Sequence, residues 1–75
     1  MKKAVIIGLG LIGGSFALEL KKRLGYHIAG IDLNPNHIEK GLALDIIDES
    51  TDYNHLTDAD LVLIAVPVNH IGEVL

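Results

Sequence analysis

Three glycines near the amino terminus have a spacing and neighbours that could hold an anion on the backbone. Gly8, Gly10 and Gly13 follow an unbroken apolar run and lead into a segment whose apolar residues recur at helical spacing. The first N–H groups of a helix have no intrahelical acceptor, and the helix dipole favours negative charge beside them. The pattern therefore predicts a diphosphate site in which Leu11 and Ile12 supply backbone N–H donors.

The glycines meet different steric requirements of such a site. Gly8 permits the tight turn out of a strand, Gly10 has no Cβ to keep a pyrophosphate from the backbone, and Gly13 lets the first helix pack closely on the sheet. An ordinary glycine-rich turn is the alternative interpretation of the same residues. The flanking strand and helix favour phosphate binding.

A carboxylate follows at the position where the sugar beside that diphosphate would lie. Asp32 comes nineteen residues after Gly13 and closes a second apolar segment. There it would accept hydrogen bonds from the ribose hydroxyls of adenosine and repel a 2′-phosphate, and no Lys or Arg occupies positions 33–36 to offset that repulsion. The sequence therefore predicts NAD as the cofactor rather than NADP. The alternative is a strand-end Asp that caps the turn at Asn34.

For the other candidate site residues, a purely structural role explains the sequence at least as well as a functional one. The backbone at Val66 and Pro67 is expected to line the ribose or nicotinamide side of the crevice, or it is only a strand end broken by proline. Ser15 points at a phosphate or sits in the first helical turn. His55 and the nearby acids Asp58 and Asp60 are expected to lie in a solvated loop, and we predict no metal ligand and no catalytic residue in this chain.

An alternating β and α arrangement is needed to bring these residues together. Runs that are apolar at every position are typical of strands buried on both faces of a parallel sheet. The elements predicted from apolar spacing and capping residues are a strand at 4–7, a helix at 12–24 capped by Gly25, a strand at 27–31, a helix from Asn34-Pro35 to near Asp45, and a buried strand at 61–66. Between that second helix and the strand at 61–66, Ile46-Ile47 is predicted to form a very short third strand or its approach. Residues 50–58 are predicted to form a loop with one helical turn. The predicted fold class is α/β, a partial Rossmann-like parallel sheet of about four strands in the order 3-2-1-4 with flanking helices.

Length and charge limit the kind of protein. With 75 residues the chain has about half the length of a complete dinucleotide-binding domain. We therefore expect residues 1–75 to be the N-terminal part of such a domain, with the remainder outside the chain. The net charge is −4, and residues 45–60 carry six acids and no Lys or Arg, which disfavours nucleic acid as a partner. The absence of Cys is compatible with a cytoplasmic protein.

The amino terminus has one competing interpretation. Lys2-Lys3, an uncharged stretch and Ser15-Phe16-Ala17 together resemble a secretory signal with a small-x-small cleavage site. Glycines interrupt that stretch at the spacing of a phosphate turn, and no run reaches the ~18–20 apolar residues of a membrane span. We therefore expect a retained amino terminus, a cytoplasmic location and no membrane partner.

Longer segments resemble one enzyme family. The segments GLGLIGGS at 8–15, GIDLN at 30–34, IDE at 47–49 and ADLVLIAVPV at 59–68 are similar, in order and spacing, to prephenate dehydrogenases and their arogenate relatives. The chain departs from the family at Asp45, where a glycine usually ends the second helix. Asp tolerates the left-handed conformation that this position needs.

That resemblance implies oxidative decarboxylation of prephenate by NAD, yielding 4-hydroxyphenylpyruvate for tyrosine biosynthesis. It also implies that the catalytic histidine and the substrate-binding arginine lie beyond the fourth strand, partly in a helical domain that forms a homodimer. The 75 residues would then be the NAD-binding portion of such an enzyme, without dehydrogenase activity of their own.

Other functions remain open. Another NAD-linked dehydrogenase, of 3-hydroxyacid or 6-phosphogluconate type, would have the same N-terminal half of the dinucleotide-binding domain. A non-catalytic NAD-sensing module also pairs the glycine pattern with a strand-end Asp, although Gly14-Ser15 and residues 65–68 favour the dehydrogenase. A self-associating fragment without independent function is a further alternative, because an unpaired edge on the last strand invites strand pairing.

Overall fold

The computed structural model describes residues 2–65, which form one parallel sheet with flanking helices. The elements are β1 (Lys3–Ile7), α1 (Leu11–Leu24), β2 (His27–Ile31), α2 (Pro35–Ala43), β3 (Glu49–Ser50), a 3-10 helix (Tyr53–Asp58) and β4 (Leu61–Ile64). All strand pairs are parallel, and the strands lie in the order β3-β2-β1-β4. The predicted fold class, a Rossmann-like α/β sheet in the order 3-2-1-4, is confirmed.

The central strands β1 and β2 are buried on both faces. Residues 4–6 are fully buried, as a strand that is apolar at every position predicts. Ala17 of α1 packs against one face of this centre, and Leu56 of the 3-10 helix packs against the other. Because the two strands are parallel, their carboxyl ends meet at one edge of the sheet, where Gly8 and Asp32 follow them.

Both helices begin and end close to the residues that the sequence indicates. α1 begins at Leu11, one residue earlier than predicted, and ends at Leu24, where Gly25 caps it with a left-handed φ of 68°. Asn34 caps α2 through its side chain, and Pro35 occupies the first helical position. Within residues 2–65, no helix combines the length and the apolar character that crossing a bilayer requires.

Polar side chains hold the segment that returns from α2 to the sheet. Asp45 has a φ of 59°, so the left-handed conformation expected of Asp at this position is confirmed. The Nζ of Lys21 on α1 lies 2.6 Å from Oδ1 of Asp45 and 2.9 Å from Oδ1 of Asp48. The backbone N–H of Ile28 donates to the other Asp48 oxygen at 2.8 Å. These contacts fix the approach to β3 against α1 and β2.

Ile46 and Ile47 form the approach to the third strand, not the strand itself. β3 begins two residues later, at Glu49. Ile47 is 1% exposed and fills the space between β2 and α2. A Cβ at Gly30 or Gly41 would lie 3.0–3.1 Å from the Ile47 side chain, so both glycines allow close packing around Ile47.

The prediction that the last strand is buried is wrong for the residues that the structure describes. Leu61, Val62 and Ile64 expose 37%, 39% and 66% of their surface. In residues 2–65, β4 pairs with β1 alone and therefore forms an edge of the sheet. Its apolar run resembles that of a central strand, but a strand with a neighbour on one side has its other flank open.

Candidate dinucleotide site at the glycine turn

The glycine turn, residues 8–13, has the backbone geometry that its glycines were expected to provide. Gly8 has a φ of 95°, which side-chain-bearing residues rarely adopt. A Cβ on Gly13 would overlap the carbonyl oxygen of Gly8, so α1 lies directly against the end of β1. Gly10 is exposed, and no atom lies within 4 Å of the position that its Cβ would take. The open space above Gly10 is where a ligand could approach the backbone.

Backbone donors lie beside that open space. The first intrahelical bond of α1 runs from the N–H of Gly14 to the carbonyl of Gly10 at 2.8 Å. The N–H groups of Leu11, Ile12 and Gly13 therefore have no acceptor within the helix. The first turn of α1 contains no acidic residue, so no carboxylate of that turn opposes an anion at the positive end of the helix dipole.

Asp32 connects the end of β2 to the glycine turn. Its Oδ2 accepts the backbone N–H of Leu9 at 2.6 Å, and its Oδ1 accepts the N–H of Asn34 at 2.8 Å. The side chain is 11% exposed. The carboxylate thus lies at the glycine turn and also caps the turn at Asn34, so the two interpretations of Asp32 are compatible.

The contacts of Asp32 determine its charge. Burial raises the pKa of Asp32. The N–H groups of Leu9 and Asn34 and the ring of His37 together lower it by more, so the pKa lies below the usual value. The carboxylate therefore stays ionised at neutral pH and can only accept hydrogen bonds. An ionised acceptor at this place suits a ligand hydroxyl and repels a ligand phosphate.

The low pKa of Asp32 should make part of the stability depend on pH. Because the folded pKa is lower than the unfolded one, this contribution is complete above the unfolded value of about 3.9 and is lost as the pH falls through the folded pKa. In urea unfolding at several pH values, the stability difference between the unaltered chain and Asp32→Asn is expected to shrink below about pH 4. A difference that stays constant into strong acid would contradict this assignment.

The sequence pattern does not predict one neighbour of Asp32. The Nδ1 of His37 lies 3.0 Å from Oδ2 of Asp32. Asn34 and Pro35 fix the start of α2, which places His37 at its third position, and side chains in a helix point back toward its amino terminus. That spacing is the signal from which the contact could have been inferred.

The remaining candidates make no contact with Asp32 or lie outside the described residues. The hydroxyl of Ser15 donates to the carbonyl of Leu11 at 2.8 Å, which supports its place in the first helical turn. His55 contacts Asp52, and no group of three metal-ligating side chains occurs within residues 2–65. Val66 and Pro67 lie outside the residues that the structure describes.

A groove of about 420 Å³ between α1 and α2 opens at the glycine turn. Gly10 and Leu11 line its end at the turn, and His37 and Lys40 line its α2 wall. A ligand that extended from the N–H groups at the start of α1 along this groove would pass His37 and Lys40 of α2.

Comparison with known proteins gives a consistent match. Residues 16–75 match the family described as "Prephenate dehydrogenase, nucleotide-binding domain". The prephenate dehydrogenase of Bacillus subtilis (strain 168) is 42% identical over 72 residues, which cover 91% of the chain and 19% of that protein. The prephenate dehydrogenase of Lactococcus lactis subsp. cremoris (strain MG1363) is 39% identical over an alignment of 79 positions, which covers 100% of the chain and 22% of that protein. The chain thus spans about a fifth of the length of the curated relatives it matches.

Solved structures resemble the chain in both fold and sequence. The prephenate dehydrogenase from A. aeolicus, in complex with hydroxyphenyl propionate and NAD+, superposes with a TM-score of 0.79 and 37% identity, over 99% of this chain and 27% of that one. Synechocystis arogenate dehydrogenase gives a TM-score of 0.81 and 30% identity, over 96% of this chain and 26% of that one. The family match covers most of the chain, including Asp32 and all elements after α1. The chain belongs to the prephenate dehydrogenase family and corresponds to its nucleotide-binding domain.

Proposed function

We propose that the chain binds NAD at the glycine turn and forms the NAD-binding portion of a prephenate dehydrogenase. The observation that carries this proposal is the bond from the N–H of Leu9 to Asp32, which holds a carboxylate beside the backbone donors at the start of α1. The similar enzyme from A. aeolicus was solved with NAD+, which supports the choice of cofactor.

The residues present fit a dinucleotide. The N–H groups of Leu11 and Ile12 would bind the diphosphate, and Gly10 would let it approach. Asp32 would accept a ribose hydroxyl: its Oδ1 accepts one protein hydrogen bond and has capacity for a second. We also propose, as the strand end predicts, that the backbone of Val66 and Pro67 lines the ribose or nicotinamide side. When bound, NAD would supply the acceptor for a hydride from the substrate.

For the whole protein we propose oxidative decarboxylation of prephenate to 4-hydroxyphenylpyruvate in tyrosine biosynthesis. The residues that perform this chemistry would lie in the remainder of the domain and in a helical domain outside residues 1–75, and the protein would be a cytoplasmic homodimer. Arogenate is the second candidate substrate, because the chain also resembles an arogenate dehydrogenase.

Replacing Asp32 tests the cofactor site. Asp32→Ala removes the ribose acceptor, and we expect the affinity for NAD+ to fall about tenfold or more while that for NADP+ falls less, as measured by calorimetric titration. If the alanine variant folds poorly, Asp32→Asn serves in its place, because it preserves the side-chain volume. Asp52→Ala is a matched control, because Asp52 similarly accepts the N–H of a residue two positions on and contacts a histidine. Equal losses of NAD+ and NADP+ affinity would count against the assignment.

The isolated chain is expected to be inactive. The purified 75-residue chain, incubated with prephenate and NAD+, should form no NADH by absorbance, because the proposed catalytic residues lie elsewhere in the enzyme. Turnover of prephenate by this chain alone would refute that part of the proposal.

A further inference from the structure

Among the groups that contact the Asp32 carboxylate, the His37 side chain is the one that can gain a proton. The other two donors to this carboxylate are the backbone N–H groups of Leu9 and Asn34, which do not titrate. An ionised carboxylate only accepts, so the Nδ1 of His37 carries the proton that it donates to Oδ2 of Asp32. The His37 side chain is 42% exposed against 11% for Asp32, so the ring is the more accessible partner of this pair.

The position of His37 places it on the path of a bound dinucleotide. It lines the same groove as Gly10 and Leu11, and its ring contacts Asp32, so a ligand with its diphosphate at the turn and its ribose at Asp32 would lie against the ring. Lys40, one helical turn farther along α2, is the other basic side chain of the groove wall. On the α1 side, Leu11, Ser15 and Leu18 line the groove and none of them titrates.

We propose that His37 is a specificity-determining residue that sets how strongly the site discriminates against NADP. With a neutral ring, the Asp32 carboxylate dominates and repels a 2′-phosphate. With a protonated ring, His37 neutralises that carboxylate and carries a second N–H, on Nε2, which is able to bind the phosphate together with Lys40. The preference for NAD over NADP should therefore narrow under conditions in which the His37 ring is protonated. This inference rests on the proposed function, namely NAD binding at the glycine turn.

The test is the ratio of the NADP+ and NAD+ dissociation constants, measured by calorimetric titration at about pH 6 and about pH 8. We expect the ratio for the unaltered chain to fall about fivefold or more between the higher and the lower pH. The 2′-phosphate itself loses charge near about pH 6, so part of the change belongs to the ligand. His37→Gln retains that ligand effect and removes the effect of the ring, so its ratio should change less with pH.

Two further variants make the result decisive. His37→Lys, with a fixed charge, should lower the ratio about fivefold relative to His37→Gln at the higher pH. His55→Gln removes a histidine from a similar Asp–His pair on the 3-10 helix and should behave as the unaltered chain does. If His37→Gln follows the unaltered chain at both pH values, or if His37→Lys leaves the ratio unchanged, the inference fails while NAD binding stands. If the unaltered chain does not bind NAD+, the proposed function fails and this inference with it.

Discussion

Gly13→Ala is expected to destabilise the fold by about 3 kcal/mol, which is a large part of the stability of a small domain. The added Cβ would overlap the carbonyl oxygen of Gly8 and lie 2.9 Å from its carbonyl carbon. Backbone atoms cannot rotate away as a side chain can, so α1 must move off the end of β1. Alanine in a helix interior ordinarily stabilises by about 1 kcal/mol relative to glycine, which is too little to offset this overlap. Urea unfolding followed by circular dichroism measures the difference.

Gly10→Ala is the matched control for that prediction. Gly10 has a φ of −65°, and its Cβ would meet no atom within 4 Å, so we expect its stability to stay within about 0.5 kcal/mol of the unaltered chain. The same Cβ would project into the space proposed for the diphosphate, so the affinity for NAD+ should fall. A stable Gly13→Ala chain, or an equally unstable Gly10→Ala chain, would contradict the steric roles assigned to these glycines.

The parts of the fold that follow from local backbone requirements could be predicted from the sequence. Examples are the positive φ of Gly8 and Gly25 and the start of α2 at Asn34-Pro35. Each of these features depends on a few adjacent residues, so the local sequence is enough to predict it. The close contact of Gly13 with the end of β1 also follows, since a strand–turn–helix connection brings these atoms together over a short length of chain. The position of Asp32 at the glycine turn follows as well, because it closes an apolar segment and adjacent parallel strands end at the same edge.

The parts that depend on distant packing could not be predicted in the same way. An apolar pair such as Ile46-Ile47 suits a strand and equally suits a core-filling approach, and the position of β3 depends on bonds from Asp48 to α1 and β2. The exposure of β4 depends on which elements flank it, and the apolar run at 61–66 does not reveal those elements. The contact between His37 and Asp32 depends on how a ring in the first turn of α2 folds back toward the strand end.

Ile47→Ala is expected to cost about 3 kcal/mol of unfolding free energy, because Ile47 is 1% exposed and truncating such a side chain leaves a cavity. The walls of that cavity include Gly30 on β2 and Gly41 on α2, and neither has a side chain that could move in to fill it. In a small domain, which buries only about 60% of its unfolded surface, a loss of this size should leave the variant largely unfolded at moderate urea concentrations. Urea titrations of the variant and the unaltered chain give the difference directly.

Ile46→Ala provides the comparison, since it removes the same atoms one position earlier. Ile46 is only partly buried, so we expect a cost of about 1 kcal/mol, well below that at Ile47. NAD+ at about a hundred times its dissociation constant should restore about 2.7 kcal/mol to Ile47→Ala if the proposed site forms in the folded state. Because Ile47 lies in the core and is not among the proposed cofactor contacts, such rescue would show that the core and the dinucleotide site fold as one unit. Equal costs at the two positions would contradict the assignment of Ile47 as the side chain that joins α2 to the sheet.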